Sequence, residues 1–265
     1  MGLIRTLRYG NRIPQILTAA RATPDWWPVF RAYALEDGKD ALHIGLRNNG
    51  QLNLQGQGEA SAFWHIFAAH CYDVRKSDQV IIDAGANVGI FALWAAQIAP
   101  GARIVCLEPH PQSFERLRET IDSNRLSQRV QPVQSALGGD SQPRWMQEAR
   151  DSASTARYVD TQAGTDGSRI QVPCMTLPEV FERCGLEEVD LLKMDIECAE
   201  YETLLATPPE VLRRLRRINV ELHVPDTVSA AQRDTLLAYL EQSGFALGRY
   251  DRDKNGYGIA YFARV

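Results

Sequence analysis

Charged side chains follow two apolar runs in the second half of the chain, and together they could carry out acid–base chemistry. These residues are Lys193, Asp195, Glu197, Glu221 and His223. An imidazole with an ordinary pKa of about 6.5 can accept a proton at neutral pH, which predicts His223 as a general base. Asp195 is the alternative base. Each acid alone could be a helix cap or a surface salt bridge, so the prediction depends on all of them meeting in one crevice.

The same cluster allows two further roles. Lys193 could stabilise an alkoxide as it forms, or it could simply pair with Glu197 or Glu221. Oxygen and nitrogen donors from Asp195, Glu197, Glu221 and His223 would also suit Mg²⁺, Mn²⁺ or Ca²⁺. The sequence analysis favours metal-free chemistry and predicts no metal ligands.

A glycine-spaced turn lies upstream of this cluster. The apolar run Val80 to Ile82 ends in Asp83-Ala84-Gly85-Ala86-Asn87-Val88-Gly89, and Glu108-Pro109 follows a second apolar run, nineteen residues past Gly89. Strand, glycine turn, helix, strand and acid is the arrangement with which an α/β sheet binds an adenosine-containing cofactor. Glu108 would bind the ribose hydroxyls of this cofactor, and the glycine turn would bind the rest of the cofactor.

The composition of the turn discriminates between cofactors. A dinucleotide site requires G-x-G-x-x-G around a pyrophosphate, whereas here Asn87 takes the place of the middle glycine and Asp83 adds negative charge. S-adenosylmethionine has a sulfonium cation and no phosphate, so an acid suits it. The turn therefore predicts S-adenosylmethionine, with residues 85–89 at its methionine part and Ser135, Ala136 and Leu137 near its adenine.

These motifs require a parallel sheet to position them. Apolar runs predict strands at 79–84, 103–108, 129–135, 189–195 and 218–224, alternating with helices, and a closing hairpin at 245–250 and 257–263. This alternation predicts an α/β fold, the Rossmann-like seven-stranded methyltransferase sheet with strand order 3-2-1-4-5-7-6. Ligands bind beyond the carboxyl ends of such strands, so the acids and the glycine turn should share one crevice.

Two segments fall outside this alternation. Residues 1–76 are predicted to form an N-terminal appendage over the cofactor site, and residues 77–265 the main domain. In the appendage, strands at 30–35 and 42–46 would form a hairpin around Asp37-Gly38, followed by a loop at 48–58 and a helix at 60–71. The polar residues 138–169 are expected to form a substrate-facing lid, with a strand near 144–146.

Composition narrows the class of protein. A net charge of −4 over 265 residues argues against a nucleic-acid substrate. The five cysteines, without a C-x-x-C spacing, indicate reduced thiols in the cytoplasm and no zinc site. No apolar stretch is long enough to span a membrane, and we expect the amphipathic segment Leu3 to Arg21 to pack on its own domain or on a second subunit of a homo-oligomer.

The paired motifs closely resemble those of the FkbM family of S-adenosylmethionine-dependent methyltransferases. They are D-x-G-A-N-x-G at 83–89, Glu108-Pro109, and K-M-D-I-E-C-A-E at 193–200. The resemblance spans roughly residues 78–223 and implies O-methylation of a hydroxyl on a saccharide, glycolipid or polyketide-like metabolite. The family usually has glycine where Cys198 stands, so this turn is expected to adopt a different backbone angle here.

Two other functions compete with this prediction. A non-catalytic subunit that binds S-adenosylmethionine would need the same cofactor motif, but it would not need the acids and His223. An NAD-dependent oxidoreductase is disfavoured by Asn87 and Asp83.

Overall fold

The computed structural model describes residues 13–35, 41–147, 159–160, 169–223, 230–252 and 257–265. They form two compact units, one ending at Cys71 and the other beginning at Tyr72. The predicted domain boundary after residue 76 stays a prediction. Among the described residues, no helix is long and apolar enough to cross a membrane.

The first unit contains helices and one hairpin. Its elements are α1 (Ile13–Ala22), α2 (Trp26–Leu35), β1 (Leu42–Gly45), β2 (Gln51–Leu54), α3 (Gly56–Phe63) and a π-helical turn (Trp64–Ala68). Trp64 is fully buried, stacked on Tyr33 of α2 with ring centroids 5.3 Å apart. The turn between the helices is tied to β1, because the Thr23 hydroxyl donates to the Gly45 carbonyl and the Gly45 amide donates to Asp25.

Two predictions in this unit are wrong. Residues 30–35 belong to helix α2 and not to a strand, since a short apolar run fits either structure and its packing against Trp64 decides for the helix. The hairpin is formed by β1 and β2, so that residues 51–54, predicted as loop, form a strand with Leu52 and Leu54 buried. The proposed turn at Asp37-Gly38 and the segment 1–12 lie outside the described residues.

The second unit has the predicted alternation of strands and helices. Its strands are β3 (Val80–Ala84), β4 (Arg103–Leu107), β5 (Val130–Val133), β6 (Ala136–Leu137), β7 (Arg144–Gln147), β8 (Val159–Asp160), β9 (Arg169–Val172), β10 (Cys174–Met175), β11 (Leu191–Met194), β12 (Arg217–Leu222), β13 (Phe245–Arg252) and β14 (Gly258–Arg264). Its helices are α4 (Ile90–Ile98), α5 (Pro111–Ser123), α6 (Leu177–Arg183), α7 (Glu200–Ala206), α8 (Pro209–Leu212) and α9 (Ala230–Gln242).

Seven strands form the central sheet, in the order β13-β14-β12-β11-β3-β4-β5. All neighbours from β12 to β5 are parallel, and β14 joins antiparallel to β12. This confirms the predicted strand order, read from the other edge. The inner strands are almost wholly apolar and buried, because helices cover both faces of such a sheet.

A smaller sheet occupies part of the predicted lid. Strands β8, β7 and β9 pair antiparallel, and β7 confirms the strand predicted near 144–146. Arg144 on β7 is buried and contacts Asp140 and Glu202. Residues 148–158 and 161–168 lie outside the described residues, so the lid function stays a prediction.

Candidate active site

The site lies beyond the carboxyl ends of the inner strands and has two parts. We call residues 83–89 with 108–109, after β3 and β4, the cofactor half. We call Asp195, Glu197, Glu200, Glu221 and His223, after β11 and on or after β12, the acceptor half. The sheet brings the halves together because β11 lies between β3 and β12.

The glycine turn requires glycine for both conformation and space. Gly85 has a φ of +76°, and a Cβ there would lie 1.8 Å from the Asp195 carbonyl oxygen. The Gly85 and Ala86 amides donate to the Leu107 carbonyl at 3.0 and 2.9 Å. Gly89, with a φ of +87°, begins helix α4. The turn is therefore held against two neighbouring strands, and only a residue without a side chain fits at its start.

The Glu108 carboxylate accepts hydrogen bonds from backbone amides, one of which belongs to the glycine turn. One carboxylate oxygen accepts from the Asn87 amide at 2.8 Å, and the other accepts from the His110 amide at 2.9 Å. An ionised carboxylate accepts hydrogen bonds and donates none, as the hydroxyl groups of a ribose require of a partner. This geometry fits the two neighbouring hydroxyls of a ribose. Pro109, which follows Glu108, is buried.

Asp83 and Lys193 pair with each other, a contact that was not predicted from the sequence. Lys193 Nζ lies 3.0 Å from Asp83 Oδ1, and it donates to the Gly85 carbonyl at 2.8 Å. Both side chains are buried, Asp83 completely. Among the described residues, the salt-bridge partner of Lys193 is Asp83 and not Glu197 or Glu221. The predicted cofactor contact of Asp83 and the alkoxide role of Lys193 stay predictions. The pair fixes the start of the glycine turn.

Burial and ion pairing shift the pKa values of Asp83 and Lys193 in opposite directions. Burial raises the pKa of Asp83, although the neighbouring ammonium of Lys193 opposes the rise. Burial alone would lower the pKa of Lys193, but the carboxylates of Asp83, Asp195 and Glu221 together outweigh it and the pKa is raised. Removing either partner would leave the other charged and buried.

The predicted adenine residues follow β5. The Ser135 hydroxyl is buried and donates to the Ala136 carbonyl at 2.8 Å. Ala136 begins β6, which pairs in parallel with β10. Both residues lie at the expected strand end, and the adenine contact stays a prediction.

His223 lies at the centre of the acceptor half. Its Nδ1 is 2.7 Å from Glu200 Oε1, a carboxylate that is fully buried at the first residue of α7. Its Nε2 lies 3.4 Å from Glu197 Oε2 and 3.8 Å from Asp195 Oδ1. The strand ends therefore bring His223, Asp195 and Glu197 together as the sequence predicted.

These neighbours change the proton affinity of His223. Burial alone would lower its pKa, but the hydrogen bond and charge of Glu200, with Glu197 and Asp195, raise it to about 10. The imidazole therefore keeps its proton at neutral pH. This contradicts the premise of an ordinary pKa on which its role as general base was predicted. Burial also raises the pKa of Glu197 to about 7, although His223 opposes the rise.

Two tyrosines that the sequence analysis missed contact Glu221. The Tyr257 hydroxyl donates to Glu221 Oε1 at 2.5 Å, and the Tyr72 hydroxyl donates to Oε2 at 3.4 Å. Burial and the Asp195 charge raise the pKa of Glu221 to about 7, with the Tyr257 hydrogen bond opposing. Glu200, whose role was also missed, lies three residues after Glu197, and that spacing was its only signal.

The turn between β11 and α7 keeps a left-handed backbone. Glu197 has a φ of +54° and Cys198 a φ of +81°. Cys198 thus has a backbone conformation that favours glycine, and the expected difference from the family's turn stays a prediction. The left-handed region costs a residue with a side chain about 1–2 kcal/mol, which makes this turn a strained part of the acceptor half.

A parallel sheet of this order, with a glycine turn and an acid after its first two strands, defines a Rossmann-like methyltransferase. The sequence profile of the methyltransferase FkbM domain matches residues 83–247. The chain therefore belongs to the FkbM family, and it is an S-adenosylmethionine-dependent methyltransferase. This confirms the resemblance and the fold class predicted from the motifs.

Relatives with known names support this membership. The 31-O-demethyl-FK506 methyltransferase FkbM of Streptomyces tacrolimicus is 28% identical over 69% of this chain and 82% of its own. The 2-O-methyltransferase NoeI of Sinorhizobium fredii is 30% identical over 56% of this chain and 65% of its own.

The fold is also found in a solved structure. The methyltransferase FkbM from Methylobacillus flagellatus superposes with a TM-score of 0.50 at 11% sequence identity. The match covers 97% of this chain and 60% of that one, so this chain spans about three fifths of that protein's length.

Proposed function

We propose that this protein transfers the methyl group of S-adenosylmethionine to a hydroxyl of a saccharide, glycolipid or polyketide-like metabolite. The main support is that Asp195 connects the two halves of the site. Its backbone carbonyl abuts Gly85 of the cofactor half, while its side chain, which is one third exposed, lies within 4 Å of His223 in the acceptor half. This connection supports a transfer from a donor at the turn to an acceptor near Asp195. The names of both relatives also specify methyl groups on oxygen.

The cofactor half supplies the contacts for the donor. The Glu108 carboxylate accepts hydrogen bonds from the ribose hydroxyls, and the backbone of residues 85–89 binds the methionine part. Ser135 and Ala136 border the adenine. When bound, S-adenosylmethionine supplies a methyl group on a positively charged sulfur, which is open to in-line attack.

The acceptor half orients the hydroxyl and accepts its proton. We assign the base to Asp195, the alternative that the sequence offered, because its side chain is the most exposed of the three that converge and its backbone carbonyl contacts the glycine turn. Glu197 and Glu221 hold neighbouring hydroxyls of the acceptor. Lys193 contacts neither the donor nor the acceptor, and it positions the turn through the Gly85 carbonyl.

Calorimetry tests the cofactor part of this proposal. S-adenosylmethionine and S-adenosylhomocysteine should bind, and NAD should not. Glu108→Ala should weaken S-adenosylhomocysteine binding about 10–150-fold, the equivalent of about 1.5–3 kcal/mol for hydrogen bonds to a charged group. Glu119→Ala, at an exposed position on α5, is the matched control. An unchanged dissociation constant for Glu108→Ala would refute the ribose contact.

Transfer of a radiolabelled methyl group tests the acceptor part. The protein is incubated with labelled S-adenosylmethionine and panels of saccharides, glycolipids and polyketides, and the label should appear as a methyl ether. Cofactor binding with no transfer to any panel would favour a non-catalytic subunit. NAD binding instead would favour an oxidoreductase.

A further inference from the structure

Three atoms of the acceptor half are arranged around one point. One ligand atom from each of Asp195, Glu197 and His223 lies within 4.8 Å of the other two. We propose that these three side chains bind a divalent metal ion, a role that the sequence allowed but did not favour. The binding itself does not depend on the proposed function, but the role of the ion rests on it.

The separations suit a single ion. Ligand atoms at about 2.1 Å from a metal lie about 3.0 Å apart at right angles and about 3.4 Å apart in a tetrahedron. The distances from His223 Nε2, 3.4 Å to Glu197 and 3.8 Å to Asp195, are close to these values. Small side-chain rotations would therefore complete the coordination.

Glu200 supplies a second observation, independent of the three ligand atoms. It is fully buried, contacts the far nitrogen of His223 at 2.7 Å, and is also held by the Ile196 amide at 3.1 Å. Histidines that bind metals usually donate their other ring N–H to such a carboxylate, which fixes the orientation of the ring. Glu200 thus directs Nε2, on a nine-tenths buried imidazole, towards Asp195 and Glu197. A divalent ion would displace the proton that Nε2 carries when no cation is bound, while Nδ1–H continues to donate to Glu200.

The charges also favour a cation here. In the described part of the chain, the salt bridges of Asp195 and Glu197 involve His223 alone, whereas Asp83 has Lys193. Glu221, which is held by Tyr257, adds a further acid close by. A divalent ion would balance these carboxylates in a crevice that is open on the side of Asp195.

The donor set indicates the kind of ion. Two carboxylate oxygens with one imidazole nitrogen, and no thiolate, suit Mn²⁺ or Mg²⁺. Three protein ligands leave coordination positions open for two neighbouring oxygens of an acceptor. An ion held through Asp195 Oδ1 leaves Oδ2 of the same carboxylate free to accept the hydroxyl proton.

Titration with MnCl₂ tests the site. Binding is monitored as the loss of the electron paramagnetic resonance signal of free Mn²⁺. The full chain, treated with chelator and without cofactor or acceptor, should bind one Mn²⁺ that excess Mg²⁺ displaces. Glu197→Gln and Asp195→Asn should each weaken binding at least about tenfold, and Glu200→Gln about 10–100-fold through the orientation of His223. Glu188→Gln, at a half-exposed position, is the control.

A spectroscopic measurement tests whether the His223 imidazole binds the metal ion directly. Electron spin echo modulation from a directly bound ¹⁴N should be present with the natural chain and absent with His223→Ala. S-adenosylhomocysteine binding by each variant shows that it is folded. No saturable Mn²⁺ binding, or binding that Glu197→Gln and Asp195→Asn leave unchanged, would overturn the proposal. Metal binding without methyl transfer would leave this site standing and contradict the proposed function instead.

Discussion

The two halves of the crevice hold their charges in different ways. In the cofactor half, Asp83 is paired with Lys193, and Glu108 accepts from two backbone amides. In the acceptor half, three carboxylates share one imidazole, and the turn at Cys198 is left-handed. Charges that each have a fixed partner suit the binding of a constant ligand. The acceptor half has more acids than basic groups, so it can accept a proton or bind a cation or a hydroxyl group.

The largest expected effect tests the pairing in the cofactor half. Lys193→Met should lower the free energy of unfolding by about 3–5 kcal/mol, because it leaves the Asp83 carboxylate buried and unpaired. Urea denaturation measures this value. The double variant Asp83→Asn with Lys193→Met should recover most of the loss. A loss below about 1 kcal/mol for the single variant would show that the pair does not stabilise the turn.

Loss of the base should affect the acceptor half alone. Asp195→Asn should lower turnover about 10²–10⁴-fold, the usual contribution of a general base. Calorimetry should find S-adenosylhomocysteine affinity nearly unchanged, because the Asp195 backbone is retained. Asp234→Asn, on the exposed face of α9, should leave turnover unaltered. Near-normal turnover of Asp195→Asn would transfer the role of base to another group.

A glycine substitution tests the contact between the halves. Gly85→Ala should lower the free energy of unfolding by at least about 2 kcal/mol and abolish cofactor binding, because its Cβ would overlap the Asp195 carbonyl. Gly101→Ala, where a Cβ meets nothing within 4 Å, should change stability by less than about 0.5 kcal/mol. Equal effects in thermal melts would contradict the close approach of the two halves.

The smallest effect concerns the strain in the acceptor half. Cys198→Gly should raise the free energy of unfolding by up to about 1 kcal/mol. It removes a left-handed penalty of about 1–2 kcal/mol, and the greater freedom of glycine in the unfolded chain offsets part of this gain. Cys198→Ala keeps the Cβ and should show no gain. If Cys198→Gly instead lowered the free energy of unfolding, the thiol would stabilise the fold by more than the left-handed backbone destabilises it.

The cofactor half was predictable because its residues are close in sequence. The glycine turn and Glu108 flank a single helix, and their spacing alone indicated an adenosine cofactor. The partner of Lys193 was not predictable in this way. It pairs with Asp83 because β3 and β11 place these two residues directly opposite each other in the sheet, 110 positions apart in the chain.

The first unit shows a different limit. Residues 30–35 form an apolar run that fits a strand or a helix equally well, and only packing against Trp64 distinguishes them. The hairpin strand at 51–54 was missed because its asparagine- and glutamine-rich surroundings are typical of loops, although Leu52 and Leu54 alternate as a strand requires.

The sequence by itself determined the order of strands and helices, the glycine turn and the family, since these follow from patterns between near neighbours along the chain. The tertiary structure decided which charges meet, and with that the protonation of His223 and the convergence of Asp195 and Glu197 on it. The physical reason is that electrostatic energy depends on distance and burial, and both are set by strand register across the sheet.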